Sequence, residues 1–271
     1  MYISVVILSY NSAKTLNRCL DDLHGCLTQI GRAFEVFVVD NGSRDASRDI
    51  ILQQARRYDG ALKPIYFEQN TGTTYSRNAA LRKASGRYIL VLDSDAYVNA
   101  SALRLLIDHL DANPATGIAV PRLYYGSGRF QLSTDRFPTL VHKFKRFLFL
   151  RKMERNRNPT ADATAPIDVD YAISACWLIR RDAFEATGLL DEKIFYSPED
   201  VDYCLRVWAA GYRITYVPAA ELVHDAQELS RGFRLSRFHF SHLKGVFYLQ
   251  HKHRYYFGLR RLYRRLNRFA R

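Results

Sequence analysis

Asp93 and Asp95 stand one small residue apart at the end of an apolar run, Tyr88-Ile-Leu-Val-Leu92. A strand that ends in two carboxylates delivers hard oxygen ligands to the edge of a sheet. Mg²⁺ is typically held by one or two carboxylates together with the oxygens of a substrate diphosphate, and open α/β sheets bind ligands beyond the carboxyl ends of their strands. The spacing reads as a site for a divalent cation on a diphosphate, with a plain polar turn as the alternative. A second acidic pair, Glu199-Asp200, follows Pro198 and opens a segment in which Val201, Leu205 and Trp208 share one helical face. Free N–H groups and the helix dipole keep a carboxylate ionised at such a start, which suits a base; a helix cap without chemistry is the alternative.

Two other apolar runs also end in polar residues, one in Ser9, Tyr10 and Asn11 and the other in Asp40, Asn41, Gly42 and Ser43. With Asp93, Ser94 and Asp95 they offer what a nucleotide needs: hydrogen-bond partners for base and ribose, a flat apolar face, and a cation for the diphosphate. No Gly-x-Gly-x-x-Gly opens the first helix and no Gly-x-x-x-x-Gly-Lys-Ser/Thr occurs anywhere, so the common dinucleotide and triphosphate cradles are absent. Phosphate charge then falls to a metal and to side chains such as Arg77.

The elements that must position these groups alternate in period. Ile3–Leu8, Phe34–Val39, Lys63–Phe67 and Tyr88–Leu92 read as buried strands; helical spacing covers Ala13–Gly25, a segment capped by Asp45 or Ser47 and running to about Tyr58, Thr74–Ala84, and Ser101–Asn113 before Pro114. Strand and helix in alternation predict βαβ units, hence an α/β protein with a twisted, mostly parallel sheet and its functional groups on one rim. Arg213–Pro218 and Ala220–Val223 are strand-like and lead to His224, which can turn back toward the metal or serve only as a structural residue.

At 271 residues the chain has room for a substantial core. Its charge is uneven: the net +13 resides almost wholly in 229–271, where ten arginines and two lysines face no acidic residue. There the charge alternates with aromatics and leucines, among them Phe238, Phe240, Leu243, Val246, Phe247, Leu249, Tyr255, Tyr256 and Leu262, a spacing compatible with amphipathic helices on an anionic membrane surface. The segment His142–Lys152 has the same character. Packing of the tail on the domain is the first alternative; nucleic acid ranks last, because no nucleic-acid motif accompanies the charge. The N-terminal apolar run lacks a basic flank and is too short to span a bilayer, so it reads as a strand and not as a signal peptide. Cys19, Cys26, Cys176 and Cys204 show no metal or disulfide spacing and read as core residues of a protein in the reducing cytosol.

Five segments together resemble the family 2 glycosyltransferases of GT-A fold: Val5–Asn11, Val38–Asp45, Asn70–Asn78, Tyr88–Asp95 and Phe195–Arg206. Ile173–Phe184 with Gly188–Glu192 is similar to the bacterial rhamnosyltransferases and their relatives of O-antigen and cell-wall polysaccharide synthesis. The resemblance implies a domain over 1–228, with a nucleotide-binding half (1–100) and an acceptor-binding half (101–228), followed by the basic tail 229–271. It implies an inverting transfer from a dTDP- or UDP-activated sugar to a saccharide, and the basic aromatic surface suggests that this acceptor is polyprenyl-diphosphate linked, on the inner face of the cytoplasmic membrane. Tyr10 and Asp40 would hold base and ribose, with Asn11, Asn41 and Ser94 beside them. Asp93 and Asp95, joined by His224, would hold Mg²⁺ or Mn²⁺, with Arg77 assisting. Asp200 would be the base, Glu199 would position the acceptor, and Trp177 would line the acceptor pocket or lie in the core. A sugar-nucleotide or polyanion-binding protein, and a nucleotidyltransferase, are the competing readings.

Overall fold

The alternation of strand and helix is realised in the computed structural model, which describes residues 1–139, 160–226 and 237–267. Its strands are β1 (Ile3–Ser9), β2 (Phe34–Asn41), β3 (Leu62–Phe67), β4 (Tyr88–Asp93), β5 (Ala96–Tyr97), β6 (Thr116–Tyr124), β7 (Phe130–Gln131), β8 (Thr134–Asp135), β9 (Ile167–Asp168), β10 (Tyr171–Ala172), β11 (Cys176–Arg180) and β12 (Arg213–His224). Its helices are α1 (Leu16–Ile30), α2 (Ser47–Arg57), α3 (Thr73–Leu81), α4 (Ala100–Ala112), α5 (Arg181–Thr187), α6 (Glu199–Ala209), α7 (Arg237–His253) and α8 (Arg260–Arg265).

The main sheet runs β3-β2-β1-β4-β11-β6-β12-β5. Strands β3, β2, β1 and β4 are parallel, β11 is antiparallel to both of its neighbours, and β6 and β12 are again parallel. Neither β6 nor β11 is marked by the alternation of the first hundred residues. They carry the sheet into the second half of the chain, so the acidic pair of β4 and the helix after Pro198 share one scaffold.

Both faces of this sheet are covered, which explains the unbroken apolar runs. Ile3, Val5 and Ile7 pack with Leu16, Leu20, Leu23, Leu103 and Leu110 on one side; Val6, Val39, Ile89 and Val91 pack with Trp177, Leu205 and Trp208 on the other. Helix α1 keeps its leucine stripe to Leu27 and ends at Gly31, whose φ of 69° is left-handed and whose N–H donates to the Leu27 carbonyl. Glycine adopts that cap without a Cβ penalty, so the helix outlasts Gly25, where the sequence pattern loses it. Asn99 starts α4 by accepting the Ala102 N–H at 2.8 Å.

The tail is not a free appendage. Val246, Leu249, Tyr255 and Leu262 are buried, and Leu249, Tyr255 and Leu262 join the core of the dyad-bearing face. Lys252 pairs with Asp191 and Asp202, His253 with Asp202, and Tyr263 with Asp170. Among the described residues, the part of the apolar stripe at Val246, Leu249, Tyr255 and Leu262 is therefore turned inward, onto an apolar face of the protein itself. Exposed in the tail are Phe247, Tyr256 and Phe257, the last 78% accessible, with Arg254, Arg260, Arg261 and Arg264. The segment His142–Lys152 and the side chains of Phe238, Phe240 and Leu243 lie outside the described residues.

Candidate active site

Register brings the strand ends together. Ser9 pairs with Asp40 and Leu8 with Asp93, so β1, β2 and β4 finish on one rim. Strand β12 reaches the same rim through an irregularity between Val217 and Glu221, then pairs with β5, setting His224 opposite Ala96. Because Ala96 directly follows Asp95, this pairing delivers the histidine to the carboxylates. His224 Nε2 lies 3.3 Å from Asp95 and 3.8 Å from Asp93. One ligand atom from each of the three falls within 4.8 Å of the others.

His224 Nδ1 is 2.9 Å from the Gln131 side-chain oxygen. An N–H there leaves the lone pair of Nε2 directed at the aspartates, the arrangement by which an outer partner orients a metal-binding imidazole. Burial pushes the His224 pKa down, yet its hydrogen bond to Asp95 and the charge of Asp93 carry it above the ordinary value. Burial likewise raises the Asp93 carboxyl despite the Arg77 charge beside it. Two carboxylates and an imidazole, buried or half-buried and drawing positive charge, suit Mg²⁺ or Mn²⁺ as a donor set.

Arg77 joins the two acidic clusters. From α3 it bonds Asp93, donates to Ser174 Oγ at 2.7 Å, and stands 3.7 Å from Glu199; Ser174 donates to Glu199 at 3.2 Å. The guanidinium is enclosed and its terminal nitrogens are bound to Asp93 and Ser174, so it ties the two clusters internally, while its buried Nε has no partner. Burial, then repulsion from Asp200, raises the Glu199 carboxyl to about 8. Asp200 is half-buried in the first turn of α6, with Oδ1 2.8 Å from the Val201 N–H.

On the nucleotide rim, Tyr10 exposes its ring. Asn11, at φ 51°, accepts the Arg44 N–H, and its own N–H donates to Ser43. Asp40 is buried; Oδ2 binds Arg48 and the Ser43 N–H, while Oδ1 has no hydrogen-bond partner. Asn41 is engaged by Thr71, Asn70 and Gly72, and Ser94 by Ser12, so both shape the loops around the site.

Trp177 does not line this cleft. It is 1% exposed, stacks on Tyr203 with centroids 5.6 Å apart, and donates to the Ala172 carbonyl. Its strand, β11, is covered on both faces, so its ring faces core and not solvent. Exposed aromatics beside the dyad are instead Phe195 and Tyr196. Gln131 and Ser174, which contact His224 and Glu199, are not singled out by the sequence; the pairing of β7 with β6 and of β11 with β4 brings them to the site. Asp202 pairs with Arg206 at 3.0 Å and is buried, with Lys252 and His253 as further partners.

A mixed sheet with a candidate cation site at the end of β4 and an acidic pair at a later helix start is the arrangement of the GT-A class of nucleotide-sugar transferase folds. The chain belongs to glycosyl transferase family 2, whose model matches residues 4–188. It is 28% identical over 235 residues to the N-acetylglucosaminyl-diphospho-decaprenol L-rhamnosyltransferase of Mycobacterium tuberculosis, covering 81% of this chain and 75% of that protein. TuaG of Bacillus subtilis, a glycosyltransferase assigned to teichuronic acid biosynthesis, is 40% identical over 93 residues, 34% of this chain and 35% of TuaG. Among solved structures, S. aureus TarS 1-349 in complex with UDP superposes with a TM-score of 0.59 at 22% identity, over 82% of this chain and 60% of that one. Mannosyltransferase PcManGT from Pyrobaculum calidifontis, in complex with GDP-Man and Mn²⁺, gives 0.58 at 18% identity, over 84% and 58%. The chain thus spans only about a third of TuaG and three-fifths of the TarS structure.

Proposed function

We propose that this chain transfers a sugar, with inversion, from a dTDP- or UDP-activated donor to a saccharide acceptor carried on a polyprenyl diphosphate, in bacterial cell-surface polysaccharide synthesis. The observation that supports this reading is the tie through Arg77, which bonds Asp93 and stands 3.7 Å from Glu199, so that the carboxylate cluster and the dyad are neighbours. Tyr10 offers an exposed ring to the base, and Asp40 an unpartnered buried oxygen on the same rim. Asp93, Asp95 and His224 would hold Mg²⁺ or Mn²⁺, which when bound polarises the leaving diphosphate and neutralises its charge.

Asp200 is the base. Burial and the charge of Asp200 push its neighbour Glu199 up to about 8, so of the pair it is Glu199 that carries the proton. Asp200 takes the proton of the acceptor hydroxyl as that oxygen forms its bond to the anomeric carbon; the bond to the diphosphate oxygen breaks on the opposite face, and nucleoside diphosphate departs. Protonated Glu199, held by Ser174 and Arg77, orients the acceptor. The exposed Phe247, Tyr256 and Phe257 amid arginines support contact with an anionic membrane at the cytoplasmic face.

The test is nucleoside diphosphate release with dTDP-rhamnose and a panel of UDP-sugars, Mn²⁺ and an N-acetylglucosaminyl-diphospho-polyprenol acceptor. Asp200→Asn is expected to bind donor as wild type does and to transfer nothing; full transfer by that variant would eliminate Asp200 as the base.

A further inference from the structure

Helix α7 of the basic tail presses on the loop that carries the dyad. Gly245 lies against the backbone just before Glu199: a Cβ there would overlap the Ser197 carbonyl oxygen and stand 2.9 Å from Pro198 Cδ. One and two turns on, Tyr248 and Lys252 donate to Asp191 at 2.8 and 2.6 Å, at the far end of the same loop. Lys252 also reaches Asp202 at 2.7 Å and His253 reaches it at 2.8 Å, in the first turn of the dyad helix α6. Asp202 is 1% exposed, so these charges are held where water does not compete for them.

The opposite side of the loop is fixed by the nucleotide half. Thr73 N–H donates to the Phe195 carbonyl and Thr74 Oγ1 to the Ile194 carbonyl, each at 2.7 Å. Gly72, at φ +86°, leaves no room for a Cβ, which would lie 2.7 Å from the Phe195 ring. The loop is gripped between the start of α3, which supplies Arg77, and α7. Glycine within a helix costs helix stability relative to alanine, so its presence at 245 calls for a reason, and close approach to the Ser197–Pro198 backbone supplies one.

We propose that α7 is a positioning element of the transfer reaction, with Gly245, Lys252 and His253 setting where Glu199 and Asp200 stand relative to the donor. This rests on the role assigned to the dyad above. A displacement of about 1 Å at a reacting group can lower a rate about a hundredfold, so seating the loop sets turnover without contributing to donor affinity.

Gly245→Ala in the full chain discriminates, because alanine strengthens the helix and harms only the approach to Ser197. With dTDP-rhamnose or UDP-sugars, Mn²⁺ and the polyprenyl-linked acceptor, kcat at a temperature well below melting should fall about tenfold or more while donor KM stays within about twofold. Lys252→Met should lower kcat and Lys252→Arg should restore most of it. Hydrogen exchange of the amides of 189–198 should quicken about tenfold in Gly245→Ala, with β1 unchanged. A Gly245→Ala kcat within about twofold of wild type, at any exchange rate, overturns the positioning role. If wild type transfers from none of these donors, the dyad reading has failed, and exchange alone decides the grip of α7 on the loop: unchanged protection of 189–198 overturns it.

Discussion

Arg77 and Glu199 stand 3.7 Å apart although 121 positions separate them in the chain, and a second nitrogen of the same guanidinium bonds Asp93. One cation thereby sets the spacing of two acidic clusters. Removing it leaves the Asp93 carboxylate without its counter-charge and the buried Ser174 hydroxyl without its donor. Arg77→Met should therefore cost about 3–5 kcal/mol of stability, read from the denaturant midpoint, and abolish transfer. A midpoint unchanged from wild type would show that the tie contributes nothing.

The cation site predicts a graded response in metal affinity. Asp95→Ala and His224→Ala should abolish the rise in melting temperature on adding Mn²⁺, whereas Gln131→Leu should weaken Mn²⁺ binding about 10–100-fold by releasing the imidazole. Chelation of the metal from wild type should remove up to about 3 kcal/mol of apparent stability if Mn²⁺ had been present at about 100 times its Kd.

Two carboxyls give opposite pH dependences. Glu199 is raised by burial and Asp200 from 4.5 to about 8, so the folded protein holds more protons than the unfolded chain between those values. Through this group stability falls as pH rises from about 4.5 to 8, and Glu199→Gln should flatten that decline in metal-free melting curves. Burial opposes ionisation of Asp202, but the His253 hydrogen bond and the charges of Arg206 and Lys252 hold its carboxyl well below the usual range. Its contribution is present above pH 3.8 and lost as pH falls below, so Asp202→Asn should remove part of the acid-induced loss of stability.

Trp177 belongs to the core. Trp177→Ala should cost about 3–5 kcal/mol, and Trp177→Phe should leave acceptor KM unchanged. A Trp177→Phe variant with weakened acceptor binding and normal stability would return the ring to the cleft.

Much of this was legible before any coordinates. Buried parallel strands announce themselves by apolar runs, and Asp93, Asp95 and Asp200 by carboxylates at a strand end and a helix start. Strands β6 and β11 were not visible, since Pro121 interrupts one and Cys176–Arg180 is as compatible with a buried helix turn. With them went Ser174 and Gln131, whose roles follow from cross-strand register. The tail's sequence leaves a lipid surface and the domain itself both open, because an amphipathic pattern records that a stripe is covered and not what covers it; Leu249 and Leu262 find the domain. Trp177 stays open between acceptor pocket and core for a related reason: an aromatic residue looks the same in sequence whether it meets a sugar or another ring, and the structure places it in the core.

Cys19, Cys26, Cys176 and Cys204 are all buried, and burial pushes each thiol well above its ordinary pKa. Thiol reagents act on thiolate, so the folded protein should be silent toward maleimides at neutral pH. A cysteine introduced at Phe257 would then be the sole reactive handle, and a fluorophore on it could report directly whether the α7–α8 elbow enters a bilayer.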